Sequence, residues 1–365
     1  MSDLPPSSST RLIYNSNHPK PLLPHTHRFV DSACEEAYMK CAEYERSCTG
    51  GDGDGDDETS QSLIRMLAYL ISETIHEDAQ RYISKQIHNY SKVEGGLLKL
   101  AHIYAEHVVG RFVLNEDISS LPTCEEAACD DDPDFATSEI LQRIISQEYK
   151  CPLTNVTDVH YISRMREARI QRGEKIDVQS EGLAGHLRCV HIMPEFQQSD
   201  LSLVVDENPP NGPPLTLKEL WRRYFLTDPM RFVYTERTRV YHSTANTIAL
   251  ESDTAALFNL MDIWLDRNTN PETYRTNWAF DVALDVARLT HRERHRYPVQ
   301  VVFETMIIPG GIHLQIHACM ARVLAWSGVK GYLERVKCEE EEERWRREAE
   351  EEMDERRARA GGYRG

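Results

Sequence analysis

The stretch CVHIMP, residues 189–194, has the composition of a short strand and carries one histidine, His191. A second stretch, HSTANTIAL (242–250), places Asn246 just ahead of an apolar run. It leads directly into DTAALFNLMDIWL (253–265), where apolar residues follow the spacing of a helix. The order is therefore a histidine at a strand end, an asparagine in a returning segment, and then a helix. This order governs the interpretation of the central part of the chain.

Each of these pieces has a plain structural interpretation and a chemical one. A lone histidine in an apolar run is more often a buried, hydrogen-bonded residue than a catalytic one, and an asparagine often supports a turn. In metal-dependent phosphodiester hydrolysis, the same histidine, asparagine and helix have chemical roles. A neutral His191 takes a proton from water as general base, and Asn246 fixes that histidine or its loop through the amide group. A divalent cation held from the helix stabilises charge on the phosphate.

Several motifs, taken in order, resemble the fungal HNH nuclease-domain family. The segment 149–155 is similar to its C-x-x-T-G hairpin, with Asn155 in place of the glycine, and 190–194 is similar to its A-H-I-I-P strand. His242, Asn246 and Leu250 resemble its H-x-x-x-N-x-x-x-L segment. Weaker matches, including Ile316 to Cys319, extend the resemblance over about 270 residues.

The resemblance implies an α+β fold: a helical N-terminal domain, an HNH-like ββα-metal core with a long insert, and a helical C-terminal extension. It implies endonucleolytic cleavage of DNA or RNA with a divalent metal (Mg²⁺, Mn²⁺ or Zn²⁺). His191 is then the general base and Asn246 its orienting partner.

The third position of the HNH motif departs from the family pattern. The metal-binding histidine expected nine residues after the asparagine falls on Ala255, and Val190 also lacks a ligand atom. Divalent cations need several oxygen or nitrogen donors. His242 and Asp253 are the candidate substitutes, with Glu251 as a further option, although Asp253 is more simply interpreted as a helix N-cap. The alternative is a catalytically inactive HNH-derived scaffold that binds nucleic acid or protein.

Two further groups of residues have metal-binding and structural interpretations. Cys151 and Cys189 resemble the cysteines of zinc-binding HNH proteins, but structural zinc takes four ligands and the pair stands alone. His313 and His317 are four residues apart on a predicted helix. The favoured interpretation of the cysteine pair and of the histidine pair is that their side chains pack in the core or lie on the surface.

Basic residues occur where a nucleic acid would bind. The candidate contacts precede Asn246 and are interleaved with Trp221, Tyr224, Phe225, Phe232 and Tyr234; they are Arg222, Arg223, Arg237 and Arg239. Arginine with interleaved aromatics suits a phosphate backbone with stacked bases. A second cluster comprises Arg164, Arg166, Arg169 and Arg172. The alternative interpretation is a strand pair whose arginines face the acidic N-terminal module.

The charge distribution permits this interpretation. The formal net charge is −17, but residues 1–150 carry 13 Lys/Arg against 26 Asp/Glu, whereas residues 151–335 carry 21 against 22. The nine cysteines are scattered, and the N-terminus lacks a secretory pattern. No apolar run is long enough for a membrane span. We therefore expect an intracellular protein, cytoplasmic or nuclear, with reduced thiols and no membrane partner.

Composition and the HNH resemblance together divide the chain into six parts. These are a disordered lead-in (1–29), a helical module (30–118), an acidic linker (119–136), an HNH nuclease-like domain (137–275), its C-terminal extension (276–336) and a charged helix or tail (337–365). The last part alternates Glu and Arg runs, which support a solvated helix. A helical adaptor that contacts a protein partner through this tail is a third interpretation.

Overall fold

The computed structural model describes residues 20–22, 29–48, 56–113, 135–175, 183–210, 212–229, 243–268, 273–279, 300–302 and 311–361. Within these ranges the chain is rich in helix and has a few short strands, so the expected α+β class is confirmed. None of their helices is both long and apolar enough to cross a membrane. His242, Arg237 and Arg239 lie outside the described residues.

Helices make up the described N-terminal region. They are α1 (Ser32–Cys48), α2 (Asp56–Glu73), α3 (Glu77–Tyr90), α4 (Gly96–Tyr104) and α5 (Gly110–Val113), with a π-helical turn at Ala105–Val109. Apolar residues spaced at i, i+3, i+4 and i+7 over 61–82 predict an amphipathic helix, but the structure interrupts it at residues 74–76. His76 is extended there (φ −133°, ψ 138°), and α3 begins at the next residue. Both helices bury apolar faces in one core, so periodicity alone does not reveal the break.

The remaining described elements alternate short strands with helices. In chain order they are α6 (Phe135–Ser146), β1 (Thr157–Asp158), α7 (Val159–Gln171), β2 (Ala184–Gly185), β3 (Leu187–His191), β4 (Val204–Asp206), β5 (Leu215–Thr216), α8 (Leu217–Phe225), β6 (Thr247–Glu251), α9 (Ser252–Asn259), β7 (Ile263–Arg267), β8 (Thr273–Trp278), β9 (Gln300–Val302), α10 (Gly311–Ser327) and α11 (Val329–Gly361).

A strand–strand–helix unit lies at the centre of this region. β3 and β6 pair antiparallel, with Leu187 opposite Glu251 and His191 opposite Thr247. The helix α9 starts at the residue after β6, and its Phe258 joins the strand side chains in one apolar core. Residues 192–246 are inserted between the two strands. The antiparallel sheet β7–β8–β9 packs on the same core.

Three secondary-structure predictions for this region are wrong. The segment 149–245 is rich in Pro, Gly and β-branched residues, which predicts short strands and loops, but it also contains the helices α7 and α8. The helix expected over 253–265 ends at Asn259, and the chain continues as strand β7. Helical patterning over 313–336 predicts one helix, but the structure interrupts it at Gly328, whose φ of +79° suits glycine.

Polar contacts join the central region to the N-terminal helices. On α10, the Arg322 guanidinium pairs with Glu73 of α2 at 2.6 Å and also with Asp266 of β7. In the insert, the Tyr224 hydroxyl donates to the Leu70 carbonyl of α2 (2.9 Å), and the Asp206 carboxylate pairs with Lys99 of α4 (2.8 Å). The insert and α10 therefore pack on the N-terminal helices.

Part of the predicted disordered lead-in is packed against the helices. The Lys20 N–H donates to the Trp326 carbonyl (3.0 Å), and the Leu22 N–H donates to the Glu45 carboxylate (3.1 Å). The side chain of Leu22 is buried. For residues 20–22, the expectation of disorder is therefore wrong.

Candidate functional site

His191 and Asn246 are brought together by the pairing of β3 with β6. His191 is the last residue of β3 and is half-buried. Asn246 is fully buried, one residue before the Thr247 that pairs with His191. The Asn246 Oδ1 accepts from the Met193 N–H (3.0 Å), and its backbone carbonyl accepts from the Ile192 N–H (2.8 Å). Asn246 therefore fixes the chain immediately after His191.

The hairpin before β3 turns through a residue in the left-handed region. Asn155, which stands where the similar C-x-x-T-G hairpin has glycine, has a φ of +56°. Asparagine is one of the few side chains that tolerate this left-handed region, so the replacement keeps the turn. The turn is closed by the Cys151 N–H, which donates to the Val156 carbonyl (2.9 Å).

Two buried polar side chains hold the strands in place. The Asp158 carboxylate caps α7 by accepting from the His160 and Tyr161 N–H groups, and its second oxygen accepts from the Leu187 N–H (3.2 Å). At the other strand, the Gln147 amide both donates to the Ala249 carbonyl and accepts from the Ala249 N–H, each at 2.9 Å. Sequence reasoning missed both residues, because their partners are 29 and 102 positions away.

The position where the HNH resemblance predicts a metal-binding histidine lies inside an apolar core. Val190 and Ala255 are both buried, and both belong to the apolar cluster formed by β3, β6, α9 and the β7–β9 sheet. Neither residue has a donor atom. No group of three or more His, Cys, Asp or Glu side chains with metal-binding geometry occurs among the described residues.

The carboxylates considered as substitutes lie at the opposite end of the sheet from His191. Glu251 pairs with Leu187, four residues before His191, which corresponds to about 13 Å along a strand. Asp253 follows two residues later and is exposed in the first turn of α9. The N-cap of α9 is Glu251, so the prediction of Asp253 as the cap is wrong. The structure does not bring Asp253 and His191 together.

His313 is a neighbour of the site that its sequence position did not reveal. Its Nδ1 donates to the Ala245 carbonyl (3.0 Å), beside Asn246. A carbonyl only accepts, so Nδ1 carries a proton and Nε2 is the basic nitrogen of the neutral ring. The two residues are 68 positions apart, and no local pattern predicts their contact.

His317, one turn further along α10, has a structural environment. It is buried, stacks on Phe258 with 3.8 Å between ring centroids, and its Nε2 donates to the Phe258 carbonyl (3.2 Å). Burial lowers the pKa of His317 to about 3. The ring is therefore neutral at physiological pH and serves as a core residue.

The two cysteines considered for zinc are also core residues. Cys151 and Cys189 are buried in the same apolar cluster as Val190. Burial raises the pKa of the Cys189 thiol to about 12. Metal ligation uses the thiolate, so a protonated, apolar environment favours packing.

The predicted nucleic-acid contacts on α8 are separated from their aromatic neighbours. Arg222 and Arg223 are exposed, and Arg223 pairs with Glu219 at 2.6 Å. The aromatic residues are buried against the N-terminal helices, so they are not available to stack on bases; they are Trp221, Tyr224 and Phe225. The predicted aromatic platform is wrong for these three residues.

The second basic cluster lies on an exposed helix. Only Ile162 of α7 is buried. Basic side chains exceed the two acidic ones, Glu167 and Glu174, over residues 159–175; they are Arg164, Arg166, Arg169, Arg172 and Lys175. Arg172 pairs with Glu174 at 2.7 Å. The helix therefore presents a basic surface on an acidic chain. Hydrogen bonds to the Asp158 carboxylate connect its N-terminus to β3.

Comparison of the chain with protein-family models, with curated proteins and with solved structures gives no match.

Proposed function

We propose that this chain is an HNH-derived ββα protein that binds nucleic acid and does not cleave it through a metal ion. One observation carries the proposal: Ala255, where the resemblance places a metal-binding histidine, is buried in a packed apolar core. The fold order and the His191–Asn246 arrangement support the HNH relationship. The burial of Ala255 supports the loss of the metal site.

The donor set does not fit a divalent cation. Magnesium and manganese require oxygen-rich shells, and zinc takes four donors in structural sites or three plus water in catalytic ones. The position where the resemblance places a metal-binding histidine offers only the methyl group of Ala255. A cation beside this group would put a charge in an apolar core, which is unfavourable without compensating ligands.

Asn246 has a structural role that does not depend on catalysis. Its buried amide supports the segment after His191, and an unsatisfied buried polar group is destabilising by about 1–3 kcal/mol. The asparagine is therefore useful to a binding scaffold as well as to a nuclease.

The binding surface that we assign is α7. Arg164 and Arg169 lie on a helix that buries only one side chain, and they outnumber its acidic neighbour Glu167. Arginine suits phosphate because its planar fork donates two parallel hydrogen bonds. A short exposed basic helix fits the backbone of a nucleic acid and gives binding without strong sequence preference.

A metal-dependent endonuclease with His191 as general base is the second candidate. It is favoured by the half-buried position of His191 at the strand end and by the bond from His313 to Ala245 beside Asn246. His242 would be its metal ligand.

Plasmid nicking separates the two candidates. Purified protein and His191→Ala are incubated with supercoiled DNA and with single-stranded RNA in Mg²⁺, Mn²⁺ or Zn²⁺. We expect equal, background cleavage for both proteins with every metal. Metal-dependent cleavage that is lost in His191→Ala would overturn the proposal and establish the nuclease.

Fluorescence anisotropy with labelled DNA and RNA tests the binding role. We expect Arg164→Glu/Arg169→Glu to weaken binding at least about tenfold, with a shallower salt dependence, because phosphate contacts release counterions. Arg222→Glu/Arg223→Glu is the matched control, since it reverses two exposed arginines on α8, and it should change affinity less than about twofold. Absence of binding, or equal effects from the two pairs, would contradict the assignment.

A further inference from the structure

The helix α11 extends beyond the packed body of the protein. Its first turns contact the N-terminal helices through Leu333, which is buried. From Cys338 to Met353 every residue is exposed except the partly covered Glu341. This part of the helix has no tertiary core of its own, although it is a continuous helix to Gly361.

A line of apolar residues runs along this exposed segment. Trp345, Ala349 and Met353 are spaced by four, and Cys338 lies seven before Trp345, so all four fall on one side of the helix. Trp345 is 62% exposed and Met353 is 51% exposed. The other residues of 338–353 are all Glu or Arg. An exposed tryptophan in such a line has a large apolar area to bury and indicates a contact surface.

The charges alternate in blocks around this line. Residues 339–343 are all glutamate, three of the four residues 344–347 are arginine, and four of the five residues 348–352 are glutamate. Arg356 and Arg357 then follow. Within the helix, Arg346 lies 3.8 Å from Glu342, and Arg356 lies 2.6 Å from Glu352. These exposed pairs contribute little individually, so they leave the charges available to a partner.

We propose that two copies of this chain associate through α11, antiparallel, about a two-fold axis at Ala349. In this arrangement Ala349 faces Ala349 of the second copy, and Trp345 faces Met353. Glu342 then lies beside Arg356, and the basic residues Arg346 and Arg347 lie beside Glu352 and Glu351. The apolar line and the charge blocks are both matched by the same axis.

Other arrangements of two α11 helices pair opposite charges less well. A parallel, in-register pair would place each charge block against its own copy, and like charges in contact are unfavourable. The antiparallel pair has two such mismatches, Glu348 opposite Glu350 and Glu343 opposite Glu355, whereas the parallel pair has one at every charged position. A two-fold interface uses one surface twice, so a line that is symmetric about its centre is the pattern that it requires. Burial of Trp345 and Met353 supplies the attraction, and the charges select the orientation.

This inference does not depend on the proposed function, and the full chain tests it. Analytical ultracentrifugation over a concentration series should show a monomer–dimer equilibrium, with a dissociation constant on the order of micromolar because the interface is small. Trp345→Glu should raise that constant at least about tenfold. Glu340→Arg, on the opposite side of the helix, should change it less than about threefold.

Disulfide trapping tests the axis itself. In a Cys338→Ala background, Ala349→Cys should form a covalent dimer under mild oxidation, because the two sulfurs meet at the axis. Glu340→Cys in the same background should not. A monomer at every concentration, or equal cross-linking of the two cysteine variants, would overturn the proposal. So would a dimer that Trp345→Glu leaves intact.

Discussion

The buried amide of Asn246 accepts a hydrogen bond from the backbone N–H of Met193, 3.0 Å away, two residues beyond His191. This contact joins the two segments that the long insert separates in sequence. It holds the end of β3 in position whether or not the site is catalytic.

Removal of this amide should destabilise the protein. We expect Asn246→Ala to lower the free energy of unfolding by about 1–3 kcal/mol, because the Met193 N–H loses its buried acceptor. Urea denaturation followed by circular dichroism measures the change. Asn259→Ala, at the half-exposed end of α9, is the control and should stay within about 0.5 kcal/mol. Equal effects would mean that the Asn246 contact does not stabilise the strand end.

Placing a histidine at position 255, as in the HNH pattern that the chain resembles, should destabilise the protein. Ala255 is buried, so Ala255→His should destabilise by about 1–3 kcal/mol through overpacking. Ala256→His makes the same change at a half-exposed neighbour and should be tolerated. Thermal denaturation with and without Zn²⁺ or Mn²⁺ provides the measurement. A metal-dependent rise in melting temperature for Ala255→His alone would show that the position still faces a metal site.

His317 should make the stability of the protein depend on pH. Its pKa is about 3 in the folded protein against an ordinary value of 6.5, so between these values the unfolded chain binds the extra proton. Stability is therefore complete above pH 6.5 and falls as pH decreases toward 3, by up to about 1.4 kcal/mol per pH unit from this group. His317→Gln should flatten this part of the profile, measured by urea denaturation.

The control for this pH effect is His76→Gln, because His76 is exposed between α2 and α3. It should leave the slope unchanged. An unaltered slope in His317→Gln would show that other groups control the acid sensitivity.

Arg322 should couple the N-terminal helices to the β7–β9 sheet. Its guanidinium is 17% exposed and pairs with both Glu73 and Asp266, so Arg322→Met leaves two carboxylates without their partner. We expect a loss of about 3–5 kcal/mol, because breaking one side of a largely buried ion pair is strongly destabilising. Arg335→Met, which removes an exposed contact to Thr59, should cost less than about 1 kcal/mol. Chemical denaturation distinguishes the two, and similar losses would contradict the coupling role.

The positions of many helices could be predicted from the sequence, whereas their ends and partners could not. Apolar spacing is a local signal, and it predicted helix within the residues of α2, α3, α9 and α10, whereas α11 was predicted from its alternating Glu and Arg runs. It did not indicate the break at His76 or the change from α9 to β7, since both sides of each break bury apolar residues in the same core. Likewise, the position of Trp221 and Tyr224 among arginines predicted a base-stacking surface. The structure instead buries both side chains against the N-terminal helices.

By itself, the sequence determined the order of strand, asparagine and helix, the left-handed turn at Asn155 and the alternating charges of α11. Each of these features depends on residues that are close together in the sequence. Local stereochemistry and residue spacing are therefore sufficient to produce it. Only the tertiary structure decided that Val190 and Ala255 are packed inside the core, that Asp253 is at the far end of the sheet from His191, and that His313 reaches Ala245. Those facts depend on which distant faces meet, because burial and hydrogen bonding between segments are set by long-range packing.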